Sequence, residues 1–312
     1  MSEPVEEAED DLLLASEPSN VDADAAEGIV AAIVAKDRRR KWADPVVLKF
    51  GSASWRPSAV GKGEAVLHVA LLETLPRFVE RRLLAAHKAG HRVHVGLTTA
   101  GLYQFDWLRV LTMVDAMVYV VDDFDKASRY RRRHVLAAVA DLQIPVSPDA
   151  RAALGQIVLD QVGAGNAQEK GRRLEAVLAF LFGQVSDFRV ALRNHRNKSQ
   201  EIDLTLQIDN FSRRVWHGKP LILVEAKNRA AKADQQTLSV LVTKIRTKRQ
   251  SVKIGFLVAT AGFTSDLERE LLRYSESDLC VVLIGPDELR ALLLTSDLDE
   301  HLEKLVIKAL VD

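Results

Sequence analysis

Apolar and polar positions follow two periods along this chain, and both halves use both. In the second half, Leu174, Val177, Leu178, Leu181 and Phe182 recur at i, i+3, i+4, i+7 and i+8, which predicts a helix with one apolar face over residues 171–182. Residues 185–192, 201–208 and 221–226 alternate as strands do, the last two joined by a polar stretch containing Gly218 and Pro220. Asp234 stands as an N-cap ahead of Leu238, Leu241, Val242 and Ile245 at helical spacing. A strand over 252–259 follows, and Ser265 and Glu268 have the spacing of a capping box for a helix to about Tyr274. After a strand over 281–284, Pro286 opens a helix ending near Leu294. The order αβββαβαβα predicts a mixed sheet with helices on both faces.

The first half alternates strand and helix more regularly. Strands are predicted over 65–71, 91–97 and 116–121, and helices over 75–89, 102–113 and 128–142. That order predicts a smaller N-terminal β/α domain over residues 46–148, Rossmann-like in its largely parallel sheet, so the whole chain reads as α/β. Ligands of such sheets sit at the C-terminal ends of the strands, here near Thr98-Thr99-Ala100-Gly101 and Asp122-Asp123-Phe124-Asp125. Neither string has the glycine spacing of a phosphate-binding loop, nor do Gly61-Lys62-Gly63 and Gly163-Ala164-Gly165. The acidic turn reads first as a solvated loop. A helix over 151–162 capped by Asp149, with a short glycine-bearing linker, fills residues 149–167 and places the second domain at 168–312.

At 312 residues and 47% hydrophobic content, the chain is long enough for two cores. The sole cysteine, Cys280, lies in an apolar run. Neither an internal disulfide nor a cysteine-rich zinc site can form, which points to a reducing cytoplasm. His87 and His91 are separated by the helix-ending Gly90, and His91 and His94 fall on opposite sides of a strand, so neither pair suits zinc. The apolar runs are too short for a membrane span, and the acidic N-terminus is unlike a signal peptide. The formal net charge is zero but unevenly spread: residues 1–28 hold ten carboxylates and no Lys or Arg, which leaves +10 on the remainder. Those 28 residues read as a disordered acidic tail, either solubilising or folding back on a basic groove. Basic residues gather at 36–41, 129–133, 172–173, 193–198 and 244–249. Each run has a structural reading, a solvated face or a compensated helix end; only their concentration in the second half favours nucleic acid.

The candidate chemistry sits on two predicted strands. Asp203 shares a strand face with Thr205, away from Ile202, Leu204 and Leu206, and Glu225 shares one with Lys227. Two carboxylates and an ammonium on neighbouring strands suit phosphodiester hydrolysis with Mg²⁺. Hard oxygen ligands hold the cation, which polarises the phosphate and acidifies a bound water, while the lysine orients that water or offsets developing charge. Taken singly, Asp203 is an ordinary strand-end charge, and Glu175, at the edge of the apolar stripe over 171–182, an ordinary solvated glutamate. Arg193, Arg196 and Lys198 lead into Asp203, and Lys244 ends the helix after Lys227, so these four are the expected phosphate contacts.

Five ordered pieces carry a resemblance. Gly171-Arg172-Arg173-Leu174-Glu175, Glu201-Ile202-Asp203, Glu225-Ala226-Lys227-Asn228 and residues 255–264 and 279–289 together resemble the PD-(D/E)xK nuclease superfamily, closest in layout to the Mrr-type restriction endonuclease domains. One departure is Asn197-Lys198-Ser199-Gln200, where many relatives carry glycine; asparagine tolerates a left-handed turn. The resemblance implies a restriction-endonuclease-like fold for residues 168–312. It also implies Mg²⁺, with Mn²⁺ able to substitute, at Asp203, Glu225 and Glu175, and Lys227 acting on the attacking water. It implies a DNA endonuclease serving defence against foreign DNA or, second, DNA repair. An RNase of the same fold and a non-catalytic nucleic-acid-binding or signalling module are the alternatives. DNA is the expected partner and a homo-oligomer the expected assembly, because cutting both strands takes two sites. A regulatory nucleotide or a partner protein is the candidate ligand of the N-terminal domain.

Overall fold

Two five-stranded sheets, one in each half of the chain, are joined by a shared layer of helices. The computed structural model describes residues 20–50, 53–122, 132–196, 201–216, 218, 220–248, 251–273 and 279–311. The first element is a helix, α1 (Asn20–Lys36), so residues 20–28 of the predicted tail are helical. Ile29 and Ile33, one turn apart, are buried against Leu67, Val69 and Tyr119. The acidic composition of this stretch concealed an anchoring stripe two isoleucines wide.

A short antiparallel ribbon, β1 (Leu48–Phe50) with β2 (Ala53–Trp55), precedes the first sheet. Its strands are β3 (Ala59–Gly61), β4 (Ala65–Val69), β5 (Arg92–Leu97), β6 (Met117–Val120) and β7 (Arg133–His134), in that spatial order. The central pairs are parallel and the two edge pairs antiparallel. Crossovers run through α2 (Arg77–Lys88) and through α3 (Thr99–Leu102) with α4 (Phe105–Met113), so the predicted helix over 102–113 is divided. Val93, Val95 and Leu97 face α2 and α4, while Leu67, Val69 and Tyr119 lie under α1. Cover on both faces explains the near-continuous apolar strands. The predicted helix over 128–142 also differs: Arg133 and His134 pair with β6, and among its described residues only those of α5 (Val135–Asp141) are in an α-helix. The start of that prediction, and Asp123-Phe124-Asp125, lie outside the described residues. Asp122 is described, and it accepts from both the amide and the hydroxyl of Thr99, capping a turn.

Two helices follow, α6 (Pro148–Gln161) and α7 (Ala167–Gly183). Ser147, not Asp149, caps α6 by accepting from the Ala150 amide at 3.3 Å, with Pro148 at the first helical position, where its missing N–H is no loss. α7 begins before Gly171, at a reciprocal capping box between Asn166 and Glu169. The second sheet is β8 (Phe188–Arg196), β9 (Glu201–Ile208), β10 (Leu221–Lys227), β11 (Val252–Ala259) and β12 (Cys280–Ile284), in that spatial order. The first three strands are antiparallel and the last three parallel. The helices α8 (Gln235–Arg246), α9 (Ser265–Leu272) and α10 (Pro286–Leu294) complete the expected order, and α11 (Leu298–Val311) adds an unforeseen fourth. Thr264, one residue before Ser265, caps α9.

The two faces of this second sheet are covered by different helices. Leu204, Leu206, Val224 and Phe256 share a cluster with Val177, Leu178 and Phe182 of α7. Leu223 and Leu257 join Leu238, Leu241 and Ile245 of α8. At Gly255 a Cβ would stand 2.6 Å from Ile245 Cδ1, so any larger residue would require Ile245 of α8 to shift.

Within residues 149–167, predicted to separate two domains, Arg151, Leu154, Gly155 and Val158 of α6 are buried against helices of both halves, while residues 163–167 are exposed. One apolar cluster runs from Val93 and Trp107 through Val139 and Leu154 to Phe180, Phe256 and Leu292. A Cβ at Gly155 of α6 would stand 3.1 Å from the carbonyl oxygen of Leu293 in α10. Polar ties cross the same layer: Asp115 accepts from Arg173 at 2.6 Å, and Gln184 accepts from the Val146 amide at 2.8 Å and donates to the Ile144 carbonyl at 3.0 Å.

Candidate active site

The pairing of β9 with β10 ends at Leu204 opposite Val224, and Asp203 and Glu225 are the next residues out. Beyond that pair the main chains part. The Ala226 amide donates instead to Asp203 Oδ2 at 2.7 Å, so the aspartate takes the place of a ladder acceptor. Opposed residues of an antiparallel pair share a face, which puts Asp203, Thr205, Leu223 and Glu225 together on the side covered by α8.

Glu225 is 4% exposed and both its oxygens are engaged by ammonium groups. Lys227 Nζ donates to Oε1 at 2.7 Å, and Lys244 Nζ donates to Oε2 at 2.5 Å. The two lysines differ in access. The Lys227 side chain keeps 29% of its surface and the Lys244 side chain 10%. Lys244 therefore corrects an expectation: it is not a surface phosphate contact but a buried cation of this cluster. Its position in α8 follows from helical spacing, three residues after Leu241 and next to Ile245, inside the apolar stripe. The carboxyl of Asp203 is pushed above the usual aspartate range by burial first and by the Glu225 charge second, against the pull of the Ala226 amide, Lys227 and Lys244.

The backbone of Lys227 is fixed on both sides. Its carbonyl accepts from the Thr260 amide at 3.0 Å. Next to it, Asn228 Nδ2 donates to the carbonyls of Val162 and Lys170 at 2.7 and 2.8 Å, and Thr260 Oγ1 donates to Asn228 Oδ1 at 2.9 Å. This side chain ties the end of β10 to the end of α6 and the first turn of α7. No local pattern marks this role, because the partners of Asn228 lie 32, 58 and 66 residues away in the chain.

The remaining predicted residues are scattered. Glu175 is half-buried on α7, and among the described residues no group of three or more His, Cys, Asp and Glu side chains stands close enough to hold a metal ion. Glu175 is thus not gathered with Asp203 and Glu225 into one ligand cluster. Arg193 pairs in register with Leu204, whose side chain belongs to the α7-side core, and it donates to Asp141 at 2.6 Å. It therefore corrects a second expectation, since it lies on the sheet face away from Asp203 and Glu225. Arg196 registers opposite Glu201 at the end of β8, and Lys198 lies outside the described residues. Two carboxylates suit Mg²⁺ better than a closed protein cage would, because that cation keeps several waters and shares its shell with substrate phosphates.

Compared with protein-family models, with curated proteins and with solved structures, the chain matches none. Among the described residues no helix is long and apolar enough to cross a membrane.

Proposed function

We propose that this protein is a metal-dependent endonuclease of the PD-(D/E)xK kind that hydrolyses phosphodiester bonds in DNA, with restriction of foreign DNA as its setting. The observation that supports it is the gathering of Asp203, Glu225 and Lys227 on one sheet face where β9 and β10 part, with Lys227 bonded to Glu225 and Asp203 to the intervening Ala226 amide. Asp203 and Glu225 would hold Mg²⁺, which when bound polarises the scissile phosphate and acidifies a water. Glu225 can face a cation only if an ammonium leaves it, and Lys227 is the one with access to solvent. Released, Lys227 Nζ is free to orient the attacking water or to meet charge building on the phosphate. Lys244 stays behind and holds the second oxygen of Glu225, fixing the direction of the carboxylate. Glu175 sits on the helix over the other face, so this reading rests on Asp203 and Glu225 as the ligand pair.

One observation favours a second reading. Both oxygens of Glu225 are satisfied by lysines without any metal, as in a fold kept for binding nucleic acid rather than cutting it. Cleavage of plasmid, single-stranded DNA and RNA with Mg²⁺, Mn²⁺ or EDTA separates the two. Metal-dependent cutting of DNA, lost in Asp203→Ala and in Lys227→Ala, is the expected result. Cutting that survives both substitutions removes this site, and nucleic-acid binding with no cutting in any metal favours the second reading.

A further inference from the structure

A second charged site lies beside the first turns of α7, the helix whose first turn Asn228 also ties to the end of β10. A cleft of about 420 Å³ opens between the start of β5, the end of α2 and the first turns of α7. Arg40, His87, His91, Arg92, His94 and Arg172 line it. It lies opposite the strand ends where a ligand was expected: Arg92 and Met117, both on its wall, are the first residues of β5 and β6.

The charges of this cleft are unevenly matched. Arg173 is committed to Asp115 and to the carbonyls of Gln161 and Ala164, and Arg92 meets Glu169 at 3.5 Å. Among the described residues, no hydrogen bond or ion pair holds the guanidinium of Arg40 or of Arg172. Arg40 is lowered from the usual arginine value by burial and then by Arg132 and Arg92, so the cations of this face repel one another. At the floor stands His94, fully buried, with neither ring nitrogen hydrogen-bonded among the described residues. It is wedged between the edge of Trp42, at 5.3 Å, and the ring of Tyr119, at 6.1 Å. A neutral imidazole has one N–H to give, and leaving it unsatisfied in the interior is costly. The 17-residue α7 also starts here, adding the partial positive charge of its N-terminus.

We propose that this cleft binds a small phosphate-bearing anion of nucleotide size, held by Arg40, Arg92 and Arg172 above the buried His94. Planar guanidinium groups match phosphate oxygens two at a time, and several converging on one space answer more than one phosphate. The volume lies in the range of small-molecule sites and excludes a duplex. This binding does not depend on the nuclease reading.

The test is calorimetric titration of the full chain, in EDTA, with inorganic pyrophosphate and with a nucleoside triphosphate. Saturable binding near one equivalent is expected. Arg172→Ala changes an exposed side chain and leaves the fold intact, and it should weaken binding about tenfold or more. The double variant Arg40→Lys/Arg172→Lys should keep part of the affinity, and Asp203→Ala should keep all of it. Failure of the folded wild type to bind either probe overturns the proposal, and so does binding that Arg172→Ala leaves unchanged or that Asp203→Ala abolishes.

Discussion

The two charged sites of this molecule handle charge in opposite ways. At the end of β9 and β10, two ammonium groups hold both oxygens of Glu225, and the Ala226 amide holds Asp203 beside it, all without a ligand. At the start of β5, arginines outnumber their carboxylate partners and a buried imidazole has none among the described residues. A matched cluster admits a cation only by exchange, through the lysine that can leave. An unmatched one attracts an anion by addition. The contrast also sets how each should respond to substitution and to acid.

The largest effect is expected at Glu225. Glu225→Ala leaves the Lys244 ammonium buried without a partner, and the unfolding free energy measured in urea should fall by about 3 kcal/mol. An unchanged midpoint would mean that Lys244 reaches water. Acid comes next. The imidazole of His94 is pushed down to about 3, by burial first and then by Arg40, Arg132, Arg92 and Arg172. The unfolded chain takes up a proton there near pH 6.5 that the folded chain refuses, so stability present at neutral pH is lost as pH falls below about 6.5. Between pH 7 and 5, wild type should lose about 2 kcal/mol more than His94→Phe. Comparing the two chains cancels the similar contribution of His68, itself lowered to about 4 by burial first and then Arg82.

Asp203 should behave in the other sense. Its raised value means that the folded chain holds the proton more readily than the unfolded one, so its contribution favours folding at acid pH and is lost as pH rises through that value. Asp203→Asn, which still offers an oxygen to the Ala226 amide, should gain about 1 kcal/mol at pH 7 while losing cleavage, and the gain should vanish in acid. A loss of stability at pH 7 would show that the carboxylate is held more favourably than its surroundings indicate. The smallest effect belongs to Arg193. Its ion pair with Asp141 is partly exposed, so Arg193→Ala should cost less than about 1 kcal/mol and leave DNA affinity unchanged in a gel-shift titration.

The alternation of β9 and β10 was legible because one face of each strand is core and the other carries the site, so period two survives in the residues. The Asp234 cap of α8 was legible for the same local reason. Lys244 was not, since a basic helix end is the commonest way to meet the helix dipole, and its place in the apolar stripe was outweighed by its charge. The caps of α6 and α9 were misplaced by one or two residues, because Asp149 and Ser265 are good capping types standing just after the true ones. β7 is two residues long and leaves no period at all. The arginine cleft draws on α2, β5, β6, α7 and the turn after α1, and no local window holds a site assembled from five places.

The unbroken interior has one more consequence. Val139 and Leu154 touch both the sheet before them and the helices after them through a single cluster. A gene fragment encoding only residues 168–312 would thus deliver a second half with a bare underside. Recombination cannot trade the first sheet for a stranger's unless the newcomer brings a matching surface for α6 and α7.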